Sequence, residues 1–92
     1  MNKCLRIVIF GTFSPDFLSS FVLKSARKCD LEGTGRLIDA DQALVVVCGE
    51  KDKVDEFLDV IHKGSAKWAL SDLEVEPFLR DKDYRGVFRI IE

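Results

Sequence analysis

Two short apolar runs, each followed by an amphipathic segment, restrict the folds open to this sequence. Residues 5–10 and residues 43–48 are rich in Val, Ile and Leu and are apolar on both faces except at Arg6. Runs of this length and composition predict central strands of a sheet. Because a helical pattern follows each run, we expect strands and helices to alternate within a small α+β domain.

The first helical segment is predicted to start near Pro15. Ser14 is a residue type that caps helices, Pro15 suits the first helical position, and Asp16 places an acid in the first turn. One side of this segment is apolar and is formed by Leu18, Phe21, Val22, Ala26 and Cys29. That side predicts the face that packs on the sheet.

The second helical segment follows residues 43–48. Asp52 is its predicted cap, with Asp55 three residues later, and Gly64 is predicted to terminate it. Apolar residues recur at the spacing of one helix face, at Val54, Phe57, Leu58 and Ile61.

The remaining strands are shorter. Gly33 and Gly35 are predicted to break the first helix, and residues 36–38 to close a short second strand before a turn at residues 39–42. Gly49 is predicted to end the third strand. Residues 69–75 alternate polar and apolar, which predicts a half-exposed strand that stops at Pro77. A charged loop at residues 79–86 then leads to a last strand at residues 87–91.

The predicted order is βαββαβ with an extra C-terminal strand. We therefore expect a ferredoxin-like α+β sandwich, with two helices on one face of a mainly antiparallel sheet. The 92 residues form a single predicted domain, 1–92. Trp68 is expected to cover one end of its core.

The composition argues against several classes of partner. A net charge of −2 lacks the basic footprint that binding nucleic acid or an anionic membrane requires. No signal-peptide pattern or membrane-spanning apolar stretch is apparent, so a cytoplasmic location is expected. The three cysteines, Cys4, Cys29 and Cys48, are widely spaced without a C-x-x-C pair, which predicts free thiols. We expect neither a metal ion nor a cofactor.

The segment at residues 10–19 carries the predicted site. It joins a strand to a helix N-terminus, where free backbone N–H groups and the helix dipole favour an anion. The candidate anion-binding residues are Gly11, Thr12, Phe13, Ser14, Pro15, Asp16 and Ser19.

Framework residues along nearly the whole chain resemble the acylphosphatases. In that family a loop of the form Gly-x-Val-Gln-Gly-Val-x-Phe-Arg leads from the first strand into the first helix. With Gly11 on the first glycine, no gap is needed through the helix to residues 26–28. Further matches fall on Leu31, Gly33, Gly49, Val54, Phe57, residues 64–70, Phe88 and Ile90.

The resemblance implies hydrolysis of carboxyl-phosphate mixed anhydrides, but the positions that perform it are changed. The family's phosphate-binding arginine falls on Ser19, and its water-orienting asparagine falls on Leu37. The second loop glycine falls on Pro15, which has no N–H, and Asp16 adds a carboxylate beside it. We therefore interpret the chain as an acylphosphatase-like module with a degenerate active site, which acts as a binding or regulatory domain. The alternative is an active hydrolase with a relocated arginine, for which Arg36 is the candidate.

The sequence does not identify the partner, and a small anion and a protein are both candidates. Both faces of the two central strands are apolar, whereas the predicted helices cover only one face of the sheet. A homodimer through the open sheet face and coverage by the loop at residues 79–86 are the two alternatives.

Overall fold

The computed structural model describes residues 2–64, 67–77 and 86–91. The first helix has two parts, because its opening turns are π-helical and only its second half is α-helical. The elements are β1 (Asn2–Gly11), the π-helical segment (Phe17–Val22), α1 (Leu23–Lys28), β2 (Glu32–Asp39), β3 (Gln42–Glu50), α2 (Lys51–Lys63), β4 (Leu70–Pro77) and β5 (Phe88–Ile90).

The five strands form one sheet in the order β4-β1-β3-β2-β5. Neighbouring strands are antiparallel except β2 and β5, which are parallel. The predicted βαββαβ order with an added C-terminal strand is therefore confirmed. Strand β5 widens the sheet at its β2 edge and brings the last described residues beside β2.

The core lies between the helices and one face of the sheet. Alternate residues of the central strands point into it, so Ile7 and Ile9 of β1 and Val45 and Val47 of β3 are fully buried. Burying a side chain of this size stabilises the fold by about 1.5 to 3 kcal/mol. The helices contribute Val22, Ala26, Val54, Phe57 and Ile61.

Gly33 and Gly35 lie inside β2, so the prediction that they break the helix is wrong. Strand β2 begins at Glu32 and therefore includes both. Gly33 has a φ of +143°, and a Cβ atom there would collide with the backbone O of Val46 on β3. The glycine is needed for the close approach of two strands, and not for a turn.

The helix ends also differ from the predictions. The helix begins at Phe17, with Asp16 preceding it, and the Ser14 hydroxyl donates to Asp16 Oδ1 (2.9 Å) and caps no N–H group. Helix α2 begins at Lys51 after Glu50, so Asp52 lies in its first turn. Gly64 follows the last turn as predicted, and a Cβ atom there would collide with the Phe21 ring.

Strand bounds shift by a few residues. Strand β3 continues through Gly49 to Glu50, and β4 runs from Leu70 to Pro77. Ala40 and Asp41 form the predicted turn. The predicted loop at 79–86 lies outside the described residues except at Gly86. No helix in the described ranges is long and apolar enough to cross a membrane.

A disulfide joins Cys4 to Cys48, which corrects the prediction of free thiols at these positions. The two residues are paired directly across β1 and β3, and their Cα atoms lie 4.1 Å apart. Cys29 is a free thiol and is buried. Burial raises the pKa of the Cys29 thiol, and the carboxylate of Glu56 raises it further.

Candidate functional site

The loop between β1 and the helix is anchored at its start by backbone hydrogen bonds. Gly11 N donates to Asp41 O (3.1 Å), and Thr12 N donates to Ala69 O (3.1 Å). These bonds tie the loop to the β2–β3 turn on one side and to the start of β4 on the other. Both N–H groups are engaged and so are not free to hold an anion.

Two positions in the middle of the loop offer no free N–H group. Pro15 has no N–H group, and Phe17 N closes a turn by donating to Ser14 O (3.1 Å). Asp16 is exposed, and its carboxylate accepts the Ser14 hydroxyl. The turn therefore adds an exposed carboxylate to this loop.

The helix that follows opens with π-type geometry. Leu23 N donates to Leu18 O, five residues earlier, so the first turns are wider than those of an α-helix. Single π-turns of this kind are rare and are found often at functional sites. The wide turn carries Ser19 between the buried residues Phe17 and Val22.

An aromatic cluster holds the start of this helix. Phe17 stacks on Phe13 with ring centroids 4.8 Å apart and meets the edge of Trp68 at 5.7 Å. Trp68 stacks on Phe21 at 5.4 Å. Trp68 is partly buried and packs against the core, as predicted. Offset and edge-on ring pairs of this type contribute about 0.5 to 1.5 kcal/mol each beyond burial.

A surface cavity of about 270 Å³ lies between the loop, the π-helical segment and the ends of β2 and β5. Six of its described lining residues are apolar and two carry hydroxyl groups, and none carries a charge. They are Ser14, Pro15, Phe17, Leu18, Ser19, Leu37, Ile90 and Ile91. Leu37 and Ile91 remain 52% and 45% exposed, so the cavity opens through an apolar rim.

The structure brings four positions singled out by the sequence into this cavity: Ser14, Pro15, Ser19 and Leu37. Ser19 and Leu37 are the positions on which the family's arginine and asparagine fall, and they are 18 residues apart in the chain. Ser19 and Leu37 come together because the end of β2 that carries Leu37 lies beside the loop and the π-helical segment.

The other predicted site residues lie elsewhere. Gly11 and Thr12 line a separate cleft with Phe10 and Asp41, and Phe13 belongs to the aromatic cluster. Asp16 lines neither the cavity nor that cleft.

Arg36, the candidate substitute for the missing arginine, is exposed and lies beside Leu37 on β2. Successive side chains of a strand point to opposite faces. Leu37 lines the cavity, so Arg36 points to the face of the sheet that the helices do not cover. The structure does not bring Arg36 into the cavity.

Four lining residues are not predicted as site residues from the sequence. Phe17 lies within residues 10–19 but is not among the candidates, Leu18 is predicted on the helix face, and Ile90 and Ile91 are predicted in the last strand. Ile91 N donates to Gly35 O (2.8 Å), which extends the parallel pairing of β5 with β2 and places Ile90 and Ile91 in the cavity wall. The charged segment before β5 gives no local signal of that pairing.

The described residues contain no group of His, Cys, Asp or Glu side chains able to hold a metal ion. Among the described carboxyl groups, the one whose pKa is clearly displaced is that of Asp55, which does not line the cavity. A hydrogen bond from Lys3 lowers the pKa of Asp55, with Lys3 Nζ 2.6 Å from Asp55 Oδ1. This ion pair links β1 to α2.

Comparisons with known proteins agree with this architecture. A protein named acylphosphatase from Caldivirga maquilingensis is 28% identical over 83 residues, which cover 89% of this chain and 87% of that protein. The acylphosphatase of Coxiella burnetii superposes with a TM-score of 0.84 at 23% identity, over 98% of this chain and 93% of that one. The acylphosphatase of Bacillus subtilis gives a TM-score of 0.84 at 21% identity over the full length of both. The acylphosphatase family model matches residues 6–90, and the chain therefore belongs to the acylphosphatase family.

Proposed function

We propose that this chain is a non-catalytic binding module built on the acylphosphatase fold. The observation that carries the proposal is the meeting of Ser19 and Leu37 in one cavity. These are the two positions at which the family resemblance expects an arginine and an asparagine. A serine and a leucine leave the cavity without the fixed guanidinium fork that grips a phosphate and without the amide that orients water.

The charge near the cavity also disfavours an acyl phosphate. Asp16 lies in the turn between two lining residues, Pro15 and Phe17. Like unit charges about 4 Å apart repel by about 1 kcal/mol in water and about 4 kcal/mol near a protein surface. The helix dipole offers about 0.3 to 1 kcal/mol in compensation. A phosphate within about 4 Å of the Asp16 carboxylate would therefore meet net repulsion.

The lining supports a different class of ligand. A wall of Leu18, Leu37, Ile90 and Ile91 favours an apolar group, and the hydroxyls of Ser14 and Ser19 add polar contacts at the loop side. The bound group would be an uncharged, mainly apolar moiety, belonging to a small molecule or to a protein side chain.

The competing function is hydrolysis of acyl phosphates, which membership of the family favours. It requires a cation at the cavity, and the position of Arg36 on the other face of β2 argues against that residue as the source.

Hydrolysis of benzoyl phosphate tests the proposal. The wild-type protein should not exceed the spontaneous rate, whereas the double variant Ser19→Arg/Leu37→Asn should gain activity. One well-placed donor is worth about 100-fold to 1,000-fold in such sites, so even an imperfect graft should give about tenfold over background. His62→Arg, which adds a guanidinium on the exposed face of α2, is the matched control and should stay inactive.

Turnover by the wild-type protein well above the spontaneous rate would contradict the proposal. If Arg36→Ala abolished that turnover, a relocated arginine would be identified. A phosphate titration followed by amide NMR gives a second readout, in which resonances of residues 12–19 should not shift.

A further inference from the structure

The cavity beside the π-helical segment combines an apolar wall with two hydroxyl groups. The wall is formed by Leu18, Leu37, Ile90 and Ile91. Ser14 of the loop and Ser19 of the π-helical segment line the same cavity, and no described lining residue carries a charge. A ligand that fills this space therefore needs an apolar body and a polar end. The hydrogen bonds that the two hydroxyls already make decide which polar end fits.

The Ser14 hydroxyl has already used its proton. A serine hydroxyl has one O–H donor and two lone pairs that accept, and Ser14 donates its proton to Asp16 Oδ1 (2.9 Å). Such a bond to a carboxylate is charge-assisted and is about twice as strong as a neutral one. Ser14 Oγ therefore offers a ligand only its lone pairs, and the ligand group that meets it must be a donor.

The Ser19 hydroxyl is not committed in this way. Within residues 2–64, 67–77 and 86–91 it takes part in no hydrogen bond, so it can donate to a ligand as well as accept. A ligand can thus place an acceptor at Ser19 and a donor at Ser14. A primary carboxamide carries both groups on one carbon atom, a carbonyl oxygen that accepts and an NH₂ group that donates.

Asp16 distinguishes a carboxamide from a carboxylate of the same shape. A carboxylate only accepts hydrogen bonds, so it has nothing to donate to Ser14 Oγ. It could take the Ser14 proton only by breaking the bond to Asp16. Repulsion between two unit charges about 4 Å apart in water lowers affinity by a further factor of about five. The loop therefore favours the neutral amide over the acid anion.

The size of the cavity suits a small molecule. An apolar cavity of about 150 Å³ is enough to hold benzene, and this cavity, at about 270 Å³, leaves room for a planar amide on the ring. An asparagine or glutamine side chain of a protein partner carries the same amide on a short methylene stem. That stem is too small to cover the apolar wall.

We propose that the cavity binds a small molecule in which a neutral primary carboxamide is attached to an aromatic or branched aliphatic body. The amide oxygen accepts from the Ser19 hydroxyl, and the amide N–H donates to Ser14 Oγ. The pair of Ser14 and Asp16 makes the cavity reject the corresponding carboxylate. This inference rests on the proposed function, because a site that must hold an acyl phosphate needs the opposite preference for charge.

An amide NMR titration of the wild-type protein compares benzamide, acetophenone and benzoate, which have nearly the same size and shape. Benzamide should bind with a Kd on the order of millimolar, as expected for so small a ligand. Acetophenone has a methyl group in place of the NH₂ group and should bind about fivefold more weakly. Benzoate should bind about tenfold or more weakly than benzamide. Shifts at Ser19, Leu37 and Ile91 should locate binding in the cavity.

Two variants test the roles of the loop residues. Ser14→Ala removes the acceptor and should abolish the preference for benzamide over acetophenone. Asp16→Ala frees the Ser14 proton and removes the repulsion, so benzoate should gain about tenfold relative to benzamide. Ser71→Ala on β4 and Asp59→Ala on α2 make the same changes at exposed positions outside the cavity and should leave the ranking unchanged. Urea unfolding of every variant checks that each one folds.

Benzoate that binds as tightly as benzamide would overturn the inference. So would a ranking that Ser14→Ala and Asp16→Ala leave unchanged, equal affinity for all three probes, or an absence of shifts with every probe. Its failure can be told apart from failure of the proposed function. Equal affinity for the three probes would still leave a non-catalytic apolar site, whereas turnover of benzoyl phosphate above the spontaneous rate would contradict the proposed function itself.

Discussion

The disulfide between Cys4 and Cys48 gives the prediction with the largest expected effect. The perturbation is reduction of the wild-type protein, which breaks the bond without changing the sequence. The bond joins the first strand to the third, so reduction frees a long stretch of the unfolded chain while leaving the native hydrogen bonds between β1 and β3 in place.

The size of the effect follows from the length of the closed loop. The two cysteines are 44 residues apart. In the chain-entropy treatment a loop of this length removes about 13 cal/mol/K from the unfolded state, which is about 4 kcal/mol at 25 °C. A small domain is stable by about 5 to 15 kcal/mol in total. Reduction should therefore remove a large share of the stability.

Urea unfolding followed by circular dichroism, with and without reductant, measures this loss. With a denaturant dependence of about 1 to 3 kcal/mol per M, the midpoint should fall by roughly 1.3 to 4 M. Cys4→Ala should unfold at one midpoint in both conditions, because it cannot form the bond. Cys29→Ala should keep the full sensitivity to reductant.

Thiol counting in denaturant shows whether the bond is present. Without reductant a single thiol should react, that of Cys29, and with reductant all three should react. Three reactive thiols without reductant, or an unchanged urea midpoint, would refute the reasoning. The same count in freshly lysed cells tests the expected cytoplasmic location, because the cytosol keeps thiols reduced.

Two further predictions concern the backbone and pH. Gly33→Ala should destabilise the protein by about 2 to 3 kcal/mol or more, since it adds both a strained φ and a collision with the backbone of β3. Gly86→Ala, also at positive φ but in open space, should cost about 1 to 2 kcal/mol. Equal urea midpoints for the two variants would contradict this. The pKa of Asp55 is lowered in the folded state by its hydrogen bond from Lys3, so this contribution to stability is present above the unfolded-state pKa and is lost as pH falls through the folded-state pKa. Lys3→Met should flatten that part of the pH profile of the urea midpoint, and an unchanged profile would count against the ion pair.

The strand and helix order was predictable because local periodicity carries it. The composition of residues 5–10 and 43–48 predicts β1 and β3, and the apolar residues of α2 recur at helical spacing. The ends of the helices and strands were harder to predict from the sequence. Gly33 is indistinguishable in sequence from a helix breaker, because the neighbour that requires it, Val46, belongs to another strand.

The site was only partly predictable for the same reason. Alignment with a family loop pointed to Ser19 and Leu37, and the fold places both in one cavity. Ile90 and Ile91 reach that cavity through the parallel pairing of β5 with β2, which no local pattern encodes. The pairing of Cys4 with Cys48 likewise depends on the register of β1 on β3 and not on cysteine spacing.

The aromatic cluster gives this protein a built-in optical reporter. Its single tryptophan, Trp68, meets the edge of Phe17, and Phe17 forms part of the cavity wall. A ligand that enters the cavity and shifts the Phe17 ring also alters the surroundings of the Trp68 indole ring. Emission from Trp68 can therefore follow occupancy directly, with no label attached and no turnover required.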